Sequence, residues 1–310
     1  MHAASKAIFY ALSRSAVLKR LASRHGLATP TSFASRFVAG ETIESAIEVS
    51  RRLQSQGLLV TLDHLGERVG SIEESVTAAR DYLRLLDAIV AAGVERNVSL
   101  KLTQLGIDID YATCVDNLRS ILEPASRHGC FVRIDMENSP YTARTLTIFE
   151  TLWEQDYRNV GVVLQAYLRR TEADVHRMNQ LGASVRLVKG AYRETAATAY
   201  TRTQDVDAAF LRLAKLLLDE GSLPAIATHD PVLIDAVRAY ATKRRLARDR
   251  FEFEMLYGIR RDLQASLVAT GYRVRVYVPF GHEWFPYFMR RLGERPANVV
   301  FVLRSLAAER

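Results

Sequence analysis

RVRVYVPFGHEWFPYFMRRLGER, residues 273–295, joins two patterns across a proline and a glycine. The first half alternates strictly, with Val274, Val276 and Val278 on one side and Arg273, Arg275 and Tyr277 on the other, which is the period of a strand. The second half sets Tyr287, Arg290, Arg291 and Glu294 at i, i+3, i+4 and i+7, one face of a helix. A strand that runs into a helix is one unit of a β/α repeat. Paired arginines beside an aromatic ring, just past a strand's end, form a candidate clamp for a small anion. The competing reading is a solvated helix face.

The same unit recurs upstream. Short β-branched runs occur at "LLVTLD" (58–63), "VSLKLT" (98–103), "CFVRID" (130–135), "VGVVLQ" (160–165), "SVRLVK" (184–189), "AIATH" (225–229) and "FEFEML" (251–256). Between them lie amphipathic stretches such as "SVTAARDYLRLLDAIVAAG" and "VDAAFLRLAKLLLDEG", each ending on the glycine that favours a helix C-terminus. Eight strands alternating with helices in about 250 residues predict an α/β fold, a parallel (βα)8 barrel of the TIM type. No linker interrupts the pattern, so one catalytic barrel over residues 46–310 is expected after an N-terminal helical arm over residues 1–45. A doubly wound sheet would need a G-x-G-x-x-G turn after an early strand, and "DHLGERVG" (63–70) does not supply it.

The 310 residues, 48% hydrophobic and 25% charged, have the composition of a globular protein with a large core. No apolar run approaches the ~20 residues of a membrane span, and nothing resembles a cleaved signal, so a cytoplasmic setting is expected. Cys114 and Cys130 have no metal-ligand spacing; no metal is expected, and both read as reduced, packed thiols. The net charge of +7 is uneven, because residues 1–40 hold Lys6, Arg14, Lys19, Arg20, Arg24 and Arg36 and no acidic residue. Ile8, Phe9, Leu12, Val17, Leu18 and Leu21 interleave with them at roughly helical spacing. Such an arm fits either an anionic membrane surface, here the inner face of the cytoplasmic membrane, or the flank of its own domain. The run "KRRLARDR" (243–250) reads as a solvated connector.

Barrel chemistry sits at the C-terminal ends of the strands. Those ends carry Asp63, Lys101, Asp135, Gln165, Lys189, Gly190, Thr228, His229 and Tyr277. Each has a bland explanation singly, but a rim so dense in hydrogen-bonding groups is expected to be functional. Below the rim, alternation turns Glu252 and Glu254 inward on one strand and Arg275 inward on the next, a pairing that reads as structural. Two chemistries suit the rim. A Schiff-base aldolase would use Lys101 or Lys189 with a lowered pKa. A cofactor enzyme would use many polar groups to hold a large ligand and a separate cationic clamp for substrate, which also employs Gln165, Arg186, Thr228 and His229. Nucleic-acid binding would call for aromatics among exposed basic residues; here the aromatics cluster at strand ends, and no nucleic-acid partner is expected.

Six motifs, "DMEN" (135–138), "LQAYLRRT" (164–171), "RLVKGAY" (186–192), "ATHD" (227–230), "FEMLYGI" (253–259) and "YFMRRLGE" (287–294), resemble those of proline dehydrogenase in order and spacing. The match covers roughly residues 40–305 and is to the short monofunctional type. Asp230 departs from the pattern, where Asn is frequent. The resemblance implies a distorted (βα)8 barrel that binds FAD, oxidises L-proline to Δ1-pyrroline-5-carboxylate and passes electrons to a membrane quinone. A separate pyrroline-5-carboxylate dehydrogenase would take the product.

Carried over by residue, the resemblance gives Arg290 and Arg291 the proline carboxylate, a task suited to the guanidinium fork, with Lys101 as a third cation. Tyr277, Tyr287 and Leu256 would enclose the ring, and Glu294 would orient the clamp. Met136, Gln165, Arg186, Val188, Lys189, Gly190, Ala191, Tyr192, Thr228 and His229 would contact the flavin. Arg186 would favour the negative charge that develops on hydride arrival, and Asp135 would orient Arg186 or Lys101. Glu67, between Gly66 and Gly70, would gate the site by pairing with one of the clamp arginines, Arg290 preferred.

Overall fold

The computed structural model describes residues 34–66 and 68–294, the side chains of Arg290, Leu292 and Glu294 excepted. Most of the basic arm, residues 1–33, and Glu67 lie outside the described residues. Eight parallel strands close into a barrel in chain order. They are β1 (Leu59–His64), β2 (Asn97–Leu100), β3 (Phe131–Ile134), β4 (Val160–Gln165), β5 (Val185–Val188), β6 (Ala225–Ala227), β7 (Glu252–Leu256) and β8 (Arg273–Phe280). The ring is sealed by β1 on β8, in register from Leu59↔Arg275 to His64↔Phe280.

Helix α1 (Ile43–Gln54) precedes β1. Its start is fixed by a capping box in which Thr42 and Ser45 satisfy each other's backbone N–H groups. After the strands come α2 (Ile72–Ala92), α3 (Tyr111–Arg127), α4 (Ser139–Glu154), α5 (Thr171–Leu181), α6 (Thr203–Glu220), α7 (Pro231–Lys243), α8 (Arg261–Ala269) and α9 (Trp284–Glu294). The predicted glycine stops hold at Gly93, left-handed, which ends α2, and at Gly221, extended, which ends α6; a left-handed Gly182 ends α5 as well. Four strands end short of their β-branched runs: β2 stops before Lys101, β3 before Asp135, β5 before Lys189 and β6 before Thr228. Past those points the Lys101 side chain reaches across to Asp63 and Asp135, while Thr228 Oγ1 accepts from Asp230 N.

The first and last helices distort the barrel. Helix α1 packs against both β1 and β8, the flank where a regular repeat would put its eighth helix. Helix α9 instead joins a separate apolar cluster: Trp284, Phe285, Tyr287, Phe288 and Met289 pack with Ala34, Phe37, Val38, Leu65 and Ile259. Leu65 follows β1 and Ile259 follows β7, so α9 lies over the C-terminal mouth. Trp284 Nε1 donates to Glu41 at 2.9 Å, and Gly281 N donates to Gly40 O at 2.9 Å, which tie the segment before α1 to the helix over the rim.

The opposite mouth is built for stability. Helices end there, and their unpaired carbonyls take arginine donors: Arg96 on His128, Arg158 on Trp153 and Arg248 on Thr270. Inside, Arg275 grips Glu252 bidentately at 2.7 and 3.1 Å and reaches Glu95 at 2.9 Å, the inward pairing expected of β7 and β8. Arg133 crosses from β3 to Ser184, with 2.6 Å to its carbonyl and 3.0 Å to its hydroxyl. It passes Gly161, its ladder partner, where a Cβ would collide with the guanidinium.

Candidate active site

Arg186 lies in the barrel's interior, only 4% exposed. From β5 its Nε donates to Glu254 Oε2 at 2.7 Å, Nη1 to Asp135 Oδ1 at 2.8 Å and Nη2 to Ser99 Oγ at 3.0 Å. Those acceptors belong to β7, the end of β3 and β2, so one guanidinium ties β5 to strands that are not its neighbours. The Tyr277 ring of β8 lies under it, 5.3 Å from guanidinium carbon to centroid. Burial works against the charge, but Glu254 and Asp135 outweigh it, and the guanidinium stays protonated.

Lys101 lies beside this group, at the end of β2. Its Nζ is 3.0 Å from Asp63 Oδ1, 3.2 Å from Asp135 Oδ2 and 3.3 Å from the Tyr277 hydroxyl. Burial alone would depress its pKa; Asp63 and then Asp135 more than reverse that and push it up. Asp135 is thus flanked by two cations and also accepts from Tyr277 at 2.7 Å. Burial would raise its pKa, yet Lys101, Arg186 and the Tyr277 hydroxyl together hold it below the usual carboxylate range. An amine locked as an ammonium cannot form a Schiff base. The other candidate, Lys189, is held by Asp207 at 2.6 Å and Asp230 at 3.2 Å. Both candidate lysines of the aldolase reading are thus paired with carboxylates.

A second set of groups lines the ends of β4, β5 and β6. Gln165 donates to Glu137 O at 2.8 Å, and Thr103 holds the Glu137 carboxylate at 2.8 Å. Gly190 has φ +110° and lies so close to the Tyr167 ring that a Cβ would overlap it, so the backbone after β5 needs glycine here. Asp230, the residue that departs from the family pattern, caps α7 by accepting from Val232 N at 3.1 Å while it holds Lys189. Its neighbour His229 accepts the Leu256 N–H at Nε2, 2.9 Å away, which leaves Nδ1 to carry the hydrogen of the neutral ring. A proline dehydrogenase family model matches residues 46–304 of this chain.

The chain belongs to the proline dehydrogenase family.

Membership brings an oxidoreductase class whose substrate is proline. The chain is 41% identical to Proline dehydrogenase 1 of Bacillus subtilis subsp. natto over 299 residues, which are 96% of this chain and 98% of that one. It is 42% identical to Proline dehydrogenase of Deinococcus radiodurans over 277 residues, 88% of this chain and 89% of the relative. Among solved structures, proline utilization A from Bdellovibrio bacteriovorus, inactivated by N-propargylglycine, superposes with a TM-score of 0.78 at 29% identity. That match covers 84% of this chain but 32% of the other, so this chain spans about a third of the larger protein.

In this dehydrogenase, Lys101, Asp135, Arg186 and Tyr277 meet in one network, while Gln165, Lys189, Gly190, Thr228 and His229 occupy adjoining strand ends. Met136 is buried beside Asp135, Val188 is half-buried at the end of β5, and Ala191 and Tyr192 are exposed. Tyr287 and Leu256 meet in the cluster under α9, and the Arg291 guanidinium lies 5.1 Å from the Tyr287 ring centroid. The side chains of Arg290 and Glu294, and all of Glu67, lie outside the described residues. Sequence reasoning leaves Asp63 without a role, although it holds Lys101. It also pairs Glu254 with the arginines of β8, whereas Glu254 bonds Arg186. Glu254 and Arg275 are ladder partners, but strands tilt in a barrel, and Glu252 is the carboxylate that Arg275 grips.

Proposed function

We propose that this protein is an FAD-dependent proline dehydrogenase that oxidises L-proline to Δ1-pyrroline-5-carboxylate and delivers the electrons to a membrane quinone. The observation that carries the reading is the buried alternation Asp63–Lys101–Asp135–Arg186 at the C-terminal mouth, under a helix bearing two arginines. Such a site offers fixed charge to a zwitterionic substrate without a nucleophilic amine. The donor set also suits a flavin dinucleotide. An amide on β4, two cations on and after β5, a side-chain-free turn at Gly190 and a hydroxyl after β6 stand at successive strand ends, as a long, phosphate-bearing ligand requires.

Met136, Gln165, Arg186, Val188, Lys189, Gly190, Ala191, Tyr192, Thr228 and His229 would hold the flavin, which when bound supplies the acceptor for a hydride from proline C5. The chain's own residues do the rest. Arg290 and Arg291 take the substrate carboxylate, with Lys101 as a third cation and Glu294 orienting the pair. Tyr277, Tyr287 and Leu256 enclose the ring and exclude water. Arg186 keeps positive charge beside the developing negative charge, and Asp135 fixes Arg186 and Lys101 in place. Glu67, on the loop after β1, closes over the clamp. That loop adjoins the end of β8 because the two strands pair along their whole shared length.

The basic residues of the arm would meet anionic lipid, where the quinone lies; among the described residues no helix is long and apolar enough to cross a membrane. A separate pyrroline-5-carboxylate dehydrogenase would consume the product. A visible absorption spectrum tests the core of the proposal. Purified protein should show a flavin band that bleaches anaerobically on addition of L-proline. Protein reconstituted with FAD whose spectrum does not respond to proline would overturn it.

A further inference from the structure

Two inward carboxylates stand two residues apart on β7, and their surroundings differ. Both oxygens of Glu252 take donors from Arg275, at 2.7 and 3.1 Å, and Arg273 approaches at 3.7 Å. Glu254 makes one hydrogen bond among the described residues. Its Oε2 accepts from Arg186 Nε at 2.7 Å, while Oε1 is buried with no hydrogen-bond partner among the described residues. At 3% exposure, an unsatisfied carboxylate oxygen costs folding free energy. Consistently, burial pushes the Glu254 carboxyl up and Arg186 does not fully offset it, whereas Glu252, also buried, is held down by Arg275.

A carboxylate kept for stability would be satisfied as Glu252 is. Among the described residues Glu254 instead gives its one hydrogen bond to the interior cation Arg186, at Nε, the nitrogen through which the guanidinium joins its stem. With Nε fixed from below, Nη1 and Nη2 are turned toward Asp135 and Ser99. We infer that Glu254 is a positioning residue: it aims Arg186 and, through its own charge, sets how much positive field Arg186 presents to the flavin. The inference rests on the flavin reading above. Its sign follows from Coulomb's law. Removing the Glu254 charge while keeping its shape leaves Arg186 with one carboxylate rather than two, so its field at the rim grows and reduced flavin is favoured.

The test compares flavin-loaded wild type, Glu254→Gln and Glu254→Asp by thermal melting and by equilibrium reduction against a reference dye. Glu254→Gln relieves an unsatisfied carboxylate oxygen but takes one of two carboxylates from buried Arg186, so it should melt lower than wild type while still folding. Its ratio of reduced to oxidised flavin should rise about tenfold at a fixed dye ratio, the effect of one nearby charge in a partly screened interior. Glu254→Asp keeps the charge and should stay within about twofold of wild type by the same reasoning. In flavin-free protein, the Arg186 Nε–H resonance should differ between wild type and Glu254→Gln, because a charged acceptor is replaced by a neutral one. An unchanged dye ratio in Glu254→Gln overturns the inference. So does failure of both variants to fold, which would assign Glu254 to barrel stability. A wild type whose flavin does not respond to proline would instead reject the underlying function.

Discussion

Tyr277 donates its phenolic hydrogen to Oδ2 of Asp135 across 2.7 Å. Burial, and then the negative charge of Asp135, push the phenol well above its ordinary pKa, so the hydroxyl is a donor at every working pH. Tyr277→Phe keeps the ring over Arg186 and removes that donor. A hydrogen bond to a charged group contributes about 1.5–3 kcal/mol, and the variant should lose stability of that order. It should keep its flavin while reducing it more slowly. Chemical denaturation and stopped-flow flavin reduction measure the two effects separately.

The same carboxylate gives the protein an acid limit. Asp135 titrates below its unfolded value of about 3.9. Its contribution is therefore complete above that value and is lost as pH falls through the depressed folded pKa. Asp135→Asn removes the titration and leaves Lys101 with Asp63 and Arg186 with Glu254 as their remaining carboxylates. The variant should be less stable at pH 7 by about 3–5 kcal/mol, and its stability should fall less steeply than wild type below about pH 4. Parallel slopes in acid melts of the two proteins would assign the acid sensitivity to another group.

The clamp is tested at α9. Arg290→Met and Arg291→Met should each raise KM for proline with flavin retained, by the ten- to hundredfold that about 1.5–3 kcal/mol represents. Lysine at either position should restore little, since a point charge cannot match both carboxylate oxygens. Steady-state kinetics with an artificial acceptor suffice, and wild-type KM in both methionine variants would remove the arginines from the substrate site.

Gly190 is closed to side chains on two counts. Its φ of +110° disfavours any side chain, and a Cβ would overlap Tyr167. Gly190→Ala should move the turn after β5 and weaken flavin retention at least tenfold, a loss on the order of 1.4 kcal/mol. Flavin content after gel filtration reads this directly, and full retention would show that the loop yields to the methyl group.

The thiols offer a check on the core. Cys114 and Cys130 are free and buried, and burial raises both, Cys114 to about 12. Neither should react with a thiol reagent in native protein, and both should react after unfolding. Modification of the folded enzyme at neutral pH would contradict the packing of α3 and β3.

Much of this molecule was legible in its sequence because its physics is local. Alternation in 273–278 and 251–256 sorts inward charge from outward apolar residues, and strand-end position alone gathers Lys101, Asp135 and Tyr277 on one rim. What resisted reading depends on barrel closure. No local pattern says that Glu254 meets Arg186, which stands on a strand two places away in the ring, or that Asp63 meets Lys101. Nor does the helical period of α9 reveal that it covers the mouth, because that follows from α1 occupying the flank of β1 and β8.

The register that joins Leu59–His64 to Arg275–Phe280 also bears on how a nascent chain fares on the ribosome. Until Arg273 emerges, the chain can build seven strands but no ring. Its first and seventh strands are bare edges, and Glu252 has yet to meet Arg275. Edges of that kind pair readily with strangers. Both edges stay open until late in translation, when β8 enters between β7 and β1 and completes the mouth.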